Sequence, residues 1–272
     1  MEREEDGQLL CEVLGSVASQ MRASLGNIHA ALRQLAADQA LQDGGDAKYA
    51  AILTQSYYRI LRVVDNMSDM SRLAEEKIVC GPERDIVSLL EDLVCQAQPL
   101  ADKQNVTLTF RSAEKRHLVS VHKGYMERLV WNLLSNALKF TPAGGRIDVS
   151  LDFRGGQVLL TVADNGCGIA PDMLEQVFER YLHPDRMDPQ PHGLGLGLPL
   201  CRRIAEGHGG RLLLTSREGE GTTATVALPD QVSQDLTVET PIFVPDGGFS
   251  CVLVGLSDAL GFRAFTHVKL DE

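Results

Sequence analysis

A strand that runs without a break into a glycine-rich segment restricts the fold of this chain more than any other feature. The run VLLTVA (158–163) has the length and composition of a strand, and DNGCGI (164–169) follows it directly. Asp164, Gly166 and Gly168 are therefore predicted at a strand end, where a ligand can approach the backbone closely. A carboxylate there can accept a hydrogen bond from the exocyclic amine of adenine, whereas guanine presents a carbonyl oxygen. Alone the segment is a weak indication, because Asp and Gly also form ordinary turns.

A second glycine-rich segment, HGLGLGLPL (192–200), precedes a helical pattern. Its glycines and leucines alternate: Gly193, Leu194, Gly195, Leu196 and Gly197. Exposed amides just before a helix suit a phosphate group, and the leucines argue against a merely flexible loop, because they indicate docking on a core. The polar, proline-containing stretch 183–192 between the two glycine segments is predicted to be a mobile lid.

The helix predicted over residues 127–142 carries polar side chains within an otherwise apolar pattern. Asn132, Asn136 and Lys139 are spaced four and three residues apart, so we expect them to share one face and to point out of the helix. Amide oxygens coordinate hard cations such as Mg²⁺, and an ammonium group can meet phosphate charge. A pair of asparagines on a helix is, by itself, more often a solvated face.

With GEGTT (219–223) behind them, these segments occur in one order, and together they resemble the ATP-binding domain of the sensor histidine kinases of two-component systems. The resemblance covers most of residues 8–230. NLLSNALKFT corresponds to the N box, DNGCGI to the first glycine box, VFERY (177–181) to the phenylalanine box and GLGLG to the second glycine box. The predicted sequence of helices and strands agrees with the α+β class, as a two-layer α/β sandwich.

The resemblance implies ATP and Mg²⁺ as ligands and gives individual residues roles. Asn136 is expected as the principal Mg²⁺ ligand with help from Asn132, Lys139 near phosphate, Asp164 on adenine, and Thr222 holding a water beside the purine. The remaining expected contacts come from the glycine and phenylalanine boxes: Gly166, Gly168, Ile169, Phe178, Gly193, Leu194, Gly195, Leu196 and Gly197.

The position of Asn132 separates this chain from other proteins of the same fold. Gyrase-type ATPases and the Hsp90 chaperone carry a glutamate there, which activates water. Without a general base, the site is expected to hydrolyse ATP slowly and to favour transfer to another acceptor.

Ahead of this domain, apolar residues recur at helical spacing in two stretches. Steps of three or four between Leu10 and Leu35, and again between Leu53 and Met67, predict two helices. We expect residues 8–76 to form an antiparallel hairpin that dimerises into a four-helix bundle, because two such helices cannot enclose a core alone. A contact with the second domain of the same chain is the alternative.

The chain is predicted to have three parts: a dimerising helical hairpin over 1–77, an ATP-binding domain over 82–230 and a C-terminal extension over 231–272. The helical pattern stops near CGP (80–82), which indicates a hinge. The extension mixes short apolar runs with Pro and Gly. It is interpreted either as a hairpin and short helix that cover the sheet edge or as a partner-binding appendage.

The first helix departs from the family pattern at the phosphoacceptor. Sensor histidine kinases carry a histidine followed by an acid, and ASQMRASL (18–25) places Ser19 and Gln20 at those two positions. A serine hydroxyl lacks the imidazole nitrogen that attacks the phosphoryl group, and Gln20 cannot take a proton. His29 comes about 280° further around the helix and faces elsewhere. We therefore expect no phosphohistidine on this hairpin.

Several functions remain compatible with this sequence. The chain is either an ATP-binding kinase whose acceptor lies on a partner, such as a response regulator or partner kinase, or a nucleotide-gated interaction module without phosphotransfer. An ATPase is a third interpretation, against which Asn132 argues, and phosphorylation of Ser19 itself is a minor fourth.

Composition limits the partners and the location. With 37 acidic and 26 basic residues the net charge is −11, which argues against nucleic acid as a partner. Six cysteines lack CxxC pairing, so neither a zinc site nor a disulfide framework is indicated, and a reducing, cytoplasmic location fits best. No apolar run approaches the roughly 20 residues that span a bilayer, so no membrane segment is expected in this chain.

Overall fold

The computed structural model describes residue 21 and residues 46–174, 177–178, 195–232 and 250–265. The chain divides into two compact units. One comprises Met1–Glu76 with Val244–Glu272, and the other comprises Lys77–Phe243.

The helices and strands follow one another in a regular order along the chain. The helices are α1 (Asp46–Glu75), α2 (Ile86–Lys103), α3 (Lys123–Phe140), α4 (Pro171–Leu174), α5 (Gly197–Gly207) and α6 (Cys251–Leu256), with a 3-10 turn at Phe262–Phe265. The strands are β1 (Glu83–Asp85), β2 (Thr107–Ser112), β3 (Leu118–Ser120), β4 (Arg146–Arg154), β5 (Gln157–Asp164), β6 (Arg211–Arg217) and β7 (Gly221–Pro229).

The second unit is built on a mixed sheet of five strands in the order β2-β4-β5-β7-β6. Strand β2 runs parallel to β4, and the other neighbouring strands are antiparallel. Alternating side chains of the central strands are buried, such as Val149 in β4 and Leu160 in β5, and α2, α3 and α5 contact the sheet. Helices packed on a mixed sheet confirm the predicted α+β class.

A two-stranded ribbon accompanies this sheet, and the sequence did not predict it. Strands β1 and β3 pair antiparallel, and Asp85 at the end of β1 accepts a hydrogen bond from Val87 N–H at 3.2 Å as the N-cap of α2. The peptide N–H of Ser120 in β3 donates to the Gln231 carbonyl at 2.9 Å. The segment that follows β7 is therefore held at this ribbon.

The first unit contains α1 and the described part of the C-terminal extension. Residues 250–265 pack on α1 and belong to the same unit as that helix, whereas the sequence interpretation grouped them with the sheet or with a partner. The Gln55 side-chain amide donates to the Leu260 carbonyl at 2.5 Å, and the Arg62 guanidinium lies 3.3 Å from the Asp258 carboxylate. The rings of Tyr58 and Phe265 lie 5.7 Å apart, and both side chains are buried.

Only the second helix of the predicted hairpin lies within the described residues. Of the first helix, only Met21 is described, and it is helical and exposed. The hairpin and the four-helix bundle therefore remain predictions. On α1, Leu53 and Ile60 are exposed at 52% and 40%, while Tyr57 and Val64 of the same predicted seam are buried. Among the described residues, no helix is both long and apolar enough to cross a bilayer.

Candidate functional site

The glycine-rich segment after β5 is held against the end of α3. The Cys167 N–H donates to the Phe140 carbonyl at 3.2 Å, and a Cβ on Gly166 would collide with that same carbonyl. Gly168 has φ +69°, and a Cβ there would collide with the Arg217 carbonyl on β6. Glycine is therefore required at both positions, because larger residues cannot enter the space between helix and strand.

Asp164, the last residue of β5, has one carboxylate oxygen committed and one available. Its Oδ1 accepts hydrogen bonds from Gly166 N–H at 2.9 Å and from Thr222 N–H at 3.2 Å. Its Oδ2 makes no hydrogen bond to any other residue in the part of the chain that the structure describes. Burial raises the pKa of the Asp164 carboxyl, and the two amide hydrogen bonds oppose that rise only in part.

A row of polar residues crosses three strands beside Asp164. Asp164 in β5 is paired with Thr222 in β7, and Thr222 is paired with Ser216 in β6. The Ser216 hydroxyl oxygen accepts a hydrogen bond from Ile169 N–H at 2.8 Å and lies 2.9 Å from the Gly221 carbonyl and 2.9 Å from the Thr222 hydroxyl. One side chain thus connects the first glycine box to the start of β7.

Ser216 was absent from the residues that the sequence singled out. It occupies the same face of β6 as Leu212 and Leu214, because alternate residues of a strand share a face. A serine that continues a row of leucines could have indicated a functional role. Because β6 is an edge strand, a polar residue there is also expected at the solvent-facing margin of the sheet.

Asn132, which the spacing places on one face of α3 with Asn136 and Lys139, is buried against the start of α5. It is 3% exposed, and its side-chain N–H donates to the Arg128 carbonyl at 2.9 Å. The start of α5 lies against it, since a Cβ on Gly197 would stand 3.0 Å from Asn132 Oδ1. Packing of a neighbouring helix on this face explains the burial.

Asn136 and Lys139 lie one turn further along α3 and are half-buried. The Asn136 amide makes no hydrogen bond to any residue in the described ranges. The Lys139 ammonium lies 5.6 Å from the centre of the Phe140 ring. Asn136 therefore has an amide oxygen available for a ligand.

The second glycine box is described from Gly195 onward. Leu196 is buried and stands at the N-cap of α5, where no side chain caps the helix. Gly193, Leu194 and the predicted lid lie outside the described residues. Phe178 of the phenylalanine box is described, and the Arg202 guanidinium lies 5.7 Å from the centre of its ring.

The structure brings part of the predicted nucleotide contacts together in two clusters. Hydrogen bonds link Gly166, Asp164, Thr222, Ser216 and Ile169, Gly168 packs on Arg217 beside Ser216, and Asn132 meets Gly197 where α3 and α5 pack. Ser19 and Gln20 lie outside the described residues. Asp164 offers a carboxylate to a hydrogen-bond donor on a ligand, and the asparagines of α3 offer amide oxygens to a hard cation. The start of α5 offers peptide N–H groups to an anion.

Comparison with known proteins identifies similar sequences. Residues 123–232 match the family "Histidine kinase-, DNA gyrase B-, and HSP90-like ATPase". The histidine protein kinase DivJ of Caulobacter vibrioides is 33% identical over 186 residues, which cover 67% of this chain and 31% of that protein. The sensor protein SrrB of Staphylococcus aureus is 32% identical over 181 residues, or 66% of this chain and 31% of that protein. The chain therefore spans 31% of the length of each of these relatives.

Solved structures share the fold. Full-length ShkA in complex with AMPPNP aligns with a TM-score of 0.66 at 24% identity, covering 83% of this chain and 47% of that one. ThkA in complex with the response regulator protein TrrA aligns with a TM-score of 0.57 at 20% identity, covering 85% of this chain and 66% of that one.

Proposed function

This chain carries the ATP-binding domain of a histidine kinase, and we propose that it is the cytoplasmic ATP-binding core of a sensor histidine kinase in two-component signal transduction. Its nucleotide is ATP with Mg²⁺. The observation that carries this proposal is the Asp164 carboxylate, whose Oδ1 is fixed by two backbone N–H groups while its Oδ2 remains available to a ligand.

The adenine amine is the group that this carboxylate recognises. Fixing Oδ1 by the amides of Gly166 and Thr222 orients the whole carboxylate, so Oδ2 is pre-organised as an acceptor. A guanine base would present a carbonyl oxygen to it, and two acceptors face to face repel. Gly166 and Gly168 hold the segment after Asp164 closely against Phe140 and Arg217, which fixes the backbone beside the carboxylate.

Residues of α3 and the start of α5 are proposed to bind the phosphates and Mg²⁺. Asn136 supplies an amide oxygen that has no partner among the described residues, and it serves as the principal Mg²⁺ ligand. Asn132, which is buried beside Gly197, assists Asn136 in binding Mg²⁺. The uncapped start of α5 offers peptide N–H groups to a phosphate, and Lys139 adds positive charge on α3.

A homodimer formed through residues 8–76 is the proposed assembly. Leu53 and Ile60 are exposed on α1 and stand seven residues apart, which is the spacing of one helix seam. Burying both against a second copy removes apolar surface from water, whereas Tyr57 and Val64 are already buried within the unit.

The phosphoacceptor lies on another protein, because Ser19 and Gln20 replace the histidine and acid of the family pattern. A response regulator or a partner kinase is the expected acceptor. The same replacement favours a second candidate function, a nucleotide-gated interaction module that binds ATP without phosphotransfer. Stoichiometric transfer of labelled phosphate from ATP to a candidate partner separates these two functions.

Nucleotide binding is tested by calorimetry and thermal melting on the full chain. Saturating ATP with Mg²⁺ is expected to raise the melting temperature, because a ligand at 100 times its Kd stabilises the native state by about 2.7 kcal/mol. Asp164→Asn replaces an acceptor by an amide and is expected to weaken ATP binding by roughly 10- to 100-fold. Asp152→Asn is the matched control, because Asp152 is a half-buried carboxylate on β4 that pairs with the exposed Arg154 at the surface. No melting shift, or equal affinity of the Asp164 variant, would overturn the proposal.

A further inference from the structure

We propose that Ser216 is a specificity-determining positioning residue, which selects adenine by fixing the hydroxyl hydrogen of Thr222 so that Thr222 offers only an acceptor to the base or to a water beside it. This inference rests on the proposed nucleotide function and adds a residue to that site. It concerns the direction of hydrogen bonds, and not only their presence.

The Ser216 hydroxyl is surrounded by three hydrogen-bonding partners. Ile169 N–H lies 2.8 Å from Oγ, the Gly221 carbonyl oxygen 2.9 Å and the Thr222 hydroxyl oxygen 2.9 Å. All three distances are in the range of well-formed hydrogen bonds. Ile169 belongs to the first glycine box, while Gly221 and Thr222 begin β7.

Counting hydrogens leaves one arrangement in which all three bonds form. A serine hydroxyl has one hydrogen and two acceptor lone pairs. The Ile169 amide can only donate and the Gly221 carbonyl can only accept, so Ser216 accepts from the first and donates to the second. The remaining lone pair of Ser216 then receives the hydrogen of Thr222. With its hydrogen committed, the Thr222 oxygen can act towards any further partner only as an acceptor.

This arrangement matches adenine and rejects a 6-oxopurine. Thr222 lies beside Asp164, which also presents only acceptors when ionised, so the pocket offers two acceptors at one edge. The exocyclic amine of adenine donates hydrogens to such an edge. A water that donates one hydrogen to Thr222 has its other hydrogen for the ring nitrogen N1 of adenine. Hypoxanthine and guanine carry N1–H and a carbonyl oxygen instead, and neither complements this pattern.

Removing the Ser216 hydroxyl releases the Thr222 hydrogen. In Ser216→Ala, Thr222 regains the ability to donate, and it can then serve the carbonyl oxygen of a 6-oxopurine. Selectivity between ATP and ITP is therefore expected to fall in this variant, even where the affinity for ATP changes little. Ser216→Thr keeps a hydroxyl at the same position and is expected to preserve the selectivity.

The experiment compares the Kd of ATP with that of ITP, both with Mg²⁺, by calorimetry on the full chain. Ser216→Ala is expected to lower the ratio of the two affinities roughly tenfold, about the effect of one hydrogen bond. Thr215→Ala is the matched control, because Thr215 is the exposed neighbour on the opposite face of β6 and is expected to leave the ratio unchanged.

A double-mutant cycle tests whether Ser216 acts through Thr222. Thr222→Val removes the hydroxyl itself, so adding Ser216→Ala to that background is expected to cause no further loss of selectivity. The cycle also uses Ser216→Thr as a folded reference if Ser216→Ala melts too low to bind nucleotide.

The possible failures are distinguishable. If the wild-type chain binds neither ATP nor ITP, the proposed function fails. If the wild type prefers ATP and Ser216→Ala keeps the same preference, or loses affinity for both nucleotides equally, the nucleotide site stands and the role of Ser216 is overturned. Independent, additive effects of the Ser216 and Thr222 substitutions on selectivity also overturn it.

Discussion

The Nε2 atom of His117 lies 2.8 Å from the Oδ1 atom of Asp230, and its Nδ1 atom lies 3.1 Å from Glu114 Oε2. The imidazole also stacks on the Phe153 ring at 3.9 Å between centres. An acceptor at each ring nitrogen favours the doubly protonated imidazolium. Burial alone lowers the pKa of His117, but the hydrogen bonds and charges of Asp230 and Glu114 outweigh it and raise the pKa overall. Asp85, which accepts a hydrogen bond from the His117 peptide N–H, adds a third carboxylate nearby.

His117 is therefore expected to make the stability of the ATP-binding domain depend on pH. A histidine whose pKa is raised by folding contributes its full stabilisation below about pH 6.5, and this is lost as the pH rises through the raised pKa. The melting temperature of the wild type should exceed that of His117→Gln most at about pH 6, below the ordinary histidine pKa of about 6.5, and least at about pH 9, well above that value. Lys115→Gln, an exposed neighbour in the same loop, is the control. A difference that stays constant across this pH range would contradict the prediction.

The absence of a side chain at Gly197 is expected to keep the buried amide of Asn132 in position. A Cβ at Gly197 would stand 3.0 Å from Asn132 Oδ1, so Gly197→Ala forces the buried amide or the start of α5 to move. Overpacking of this kind costs about 1–3 kcal/mol, and we expect the affinity for ATP with Mg²⁺ to fall about tenfold. Gly124→Ala is the matched control, since its Cβ would meet the His122 ring at an ordinary 3.5 Å. Unchanged affinity in Gly197→Ala would show that Asn132 does not support the nucleotide site.

The periodicity of the sequence was sufficient to predict the central elements. Strands β4 and β5 alternate buried and half-buried residues as the pattern indicated, and α3 spans Lys123–Phe140 where a helix was expected. The burial of Asn132 could not be predicted from spacing, because it depends on the packing of α5 through Gly197. Strands β1 and β3 have three residues each, too few for alternation to identify them.

The packing of residues 250–265 on α1 could not be predicted from the local sequence pattern either. The Gln55 side chain and the Leu260 carbonyl are separated by 205 residues, and nothing in either sequence segment specifies the other as its partner. Ser216 illustrates the same limit, since its role comes from Ile169, which is 47 residues away in the chain. Long-range hydrogen bonds decide these features, and they follow from the assembled fold.

The contact between Arg62 and Asp258 is expected to stabilise the helical unit. The Arg62 side chain is 6% exposed and the Asp258 side chain 25% exposed, so Asp258→Ala removes an acidic partner from a buried guanidinium. We expect a loss of about 1–3 kcal/mol, less than for a fully buried pair because Asp258 reaches solvent. Hydrogen–deuterium exchange should increase in residues 46–75 and not in 123–140. Glu75→Gln, at the exposed end of α1, is the control, and unchanged exchange in α1 would contradict the prediction.

Restoring the acceptor is expected to reveal whether the ATP site retains phosphotransfer chemistry. The wild-type chain, with Ser19 and Gln20 at the acceptor and acid positions, should gain no acid-labile, base-stable phosphate from labelled ATP. Ser19→His combined with Gln20→Glu supplies both an imidazole nucleophile and a proton acceptor, so a site that still positions the γ-phosphate should then form phosphohistidine. Adding Asp164→Asn to this double variant should reduce the label at sub-saturating ATP, because nucleotide binding is weakened roughly 10- to 100-fold. Phosphohistidine on the wild type would refute the assignment of a disabled acceptor. Tight ATP binding without label in the double variant would favour the nucleotide-gated interaction module over a kinase that lacks only its acceptor.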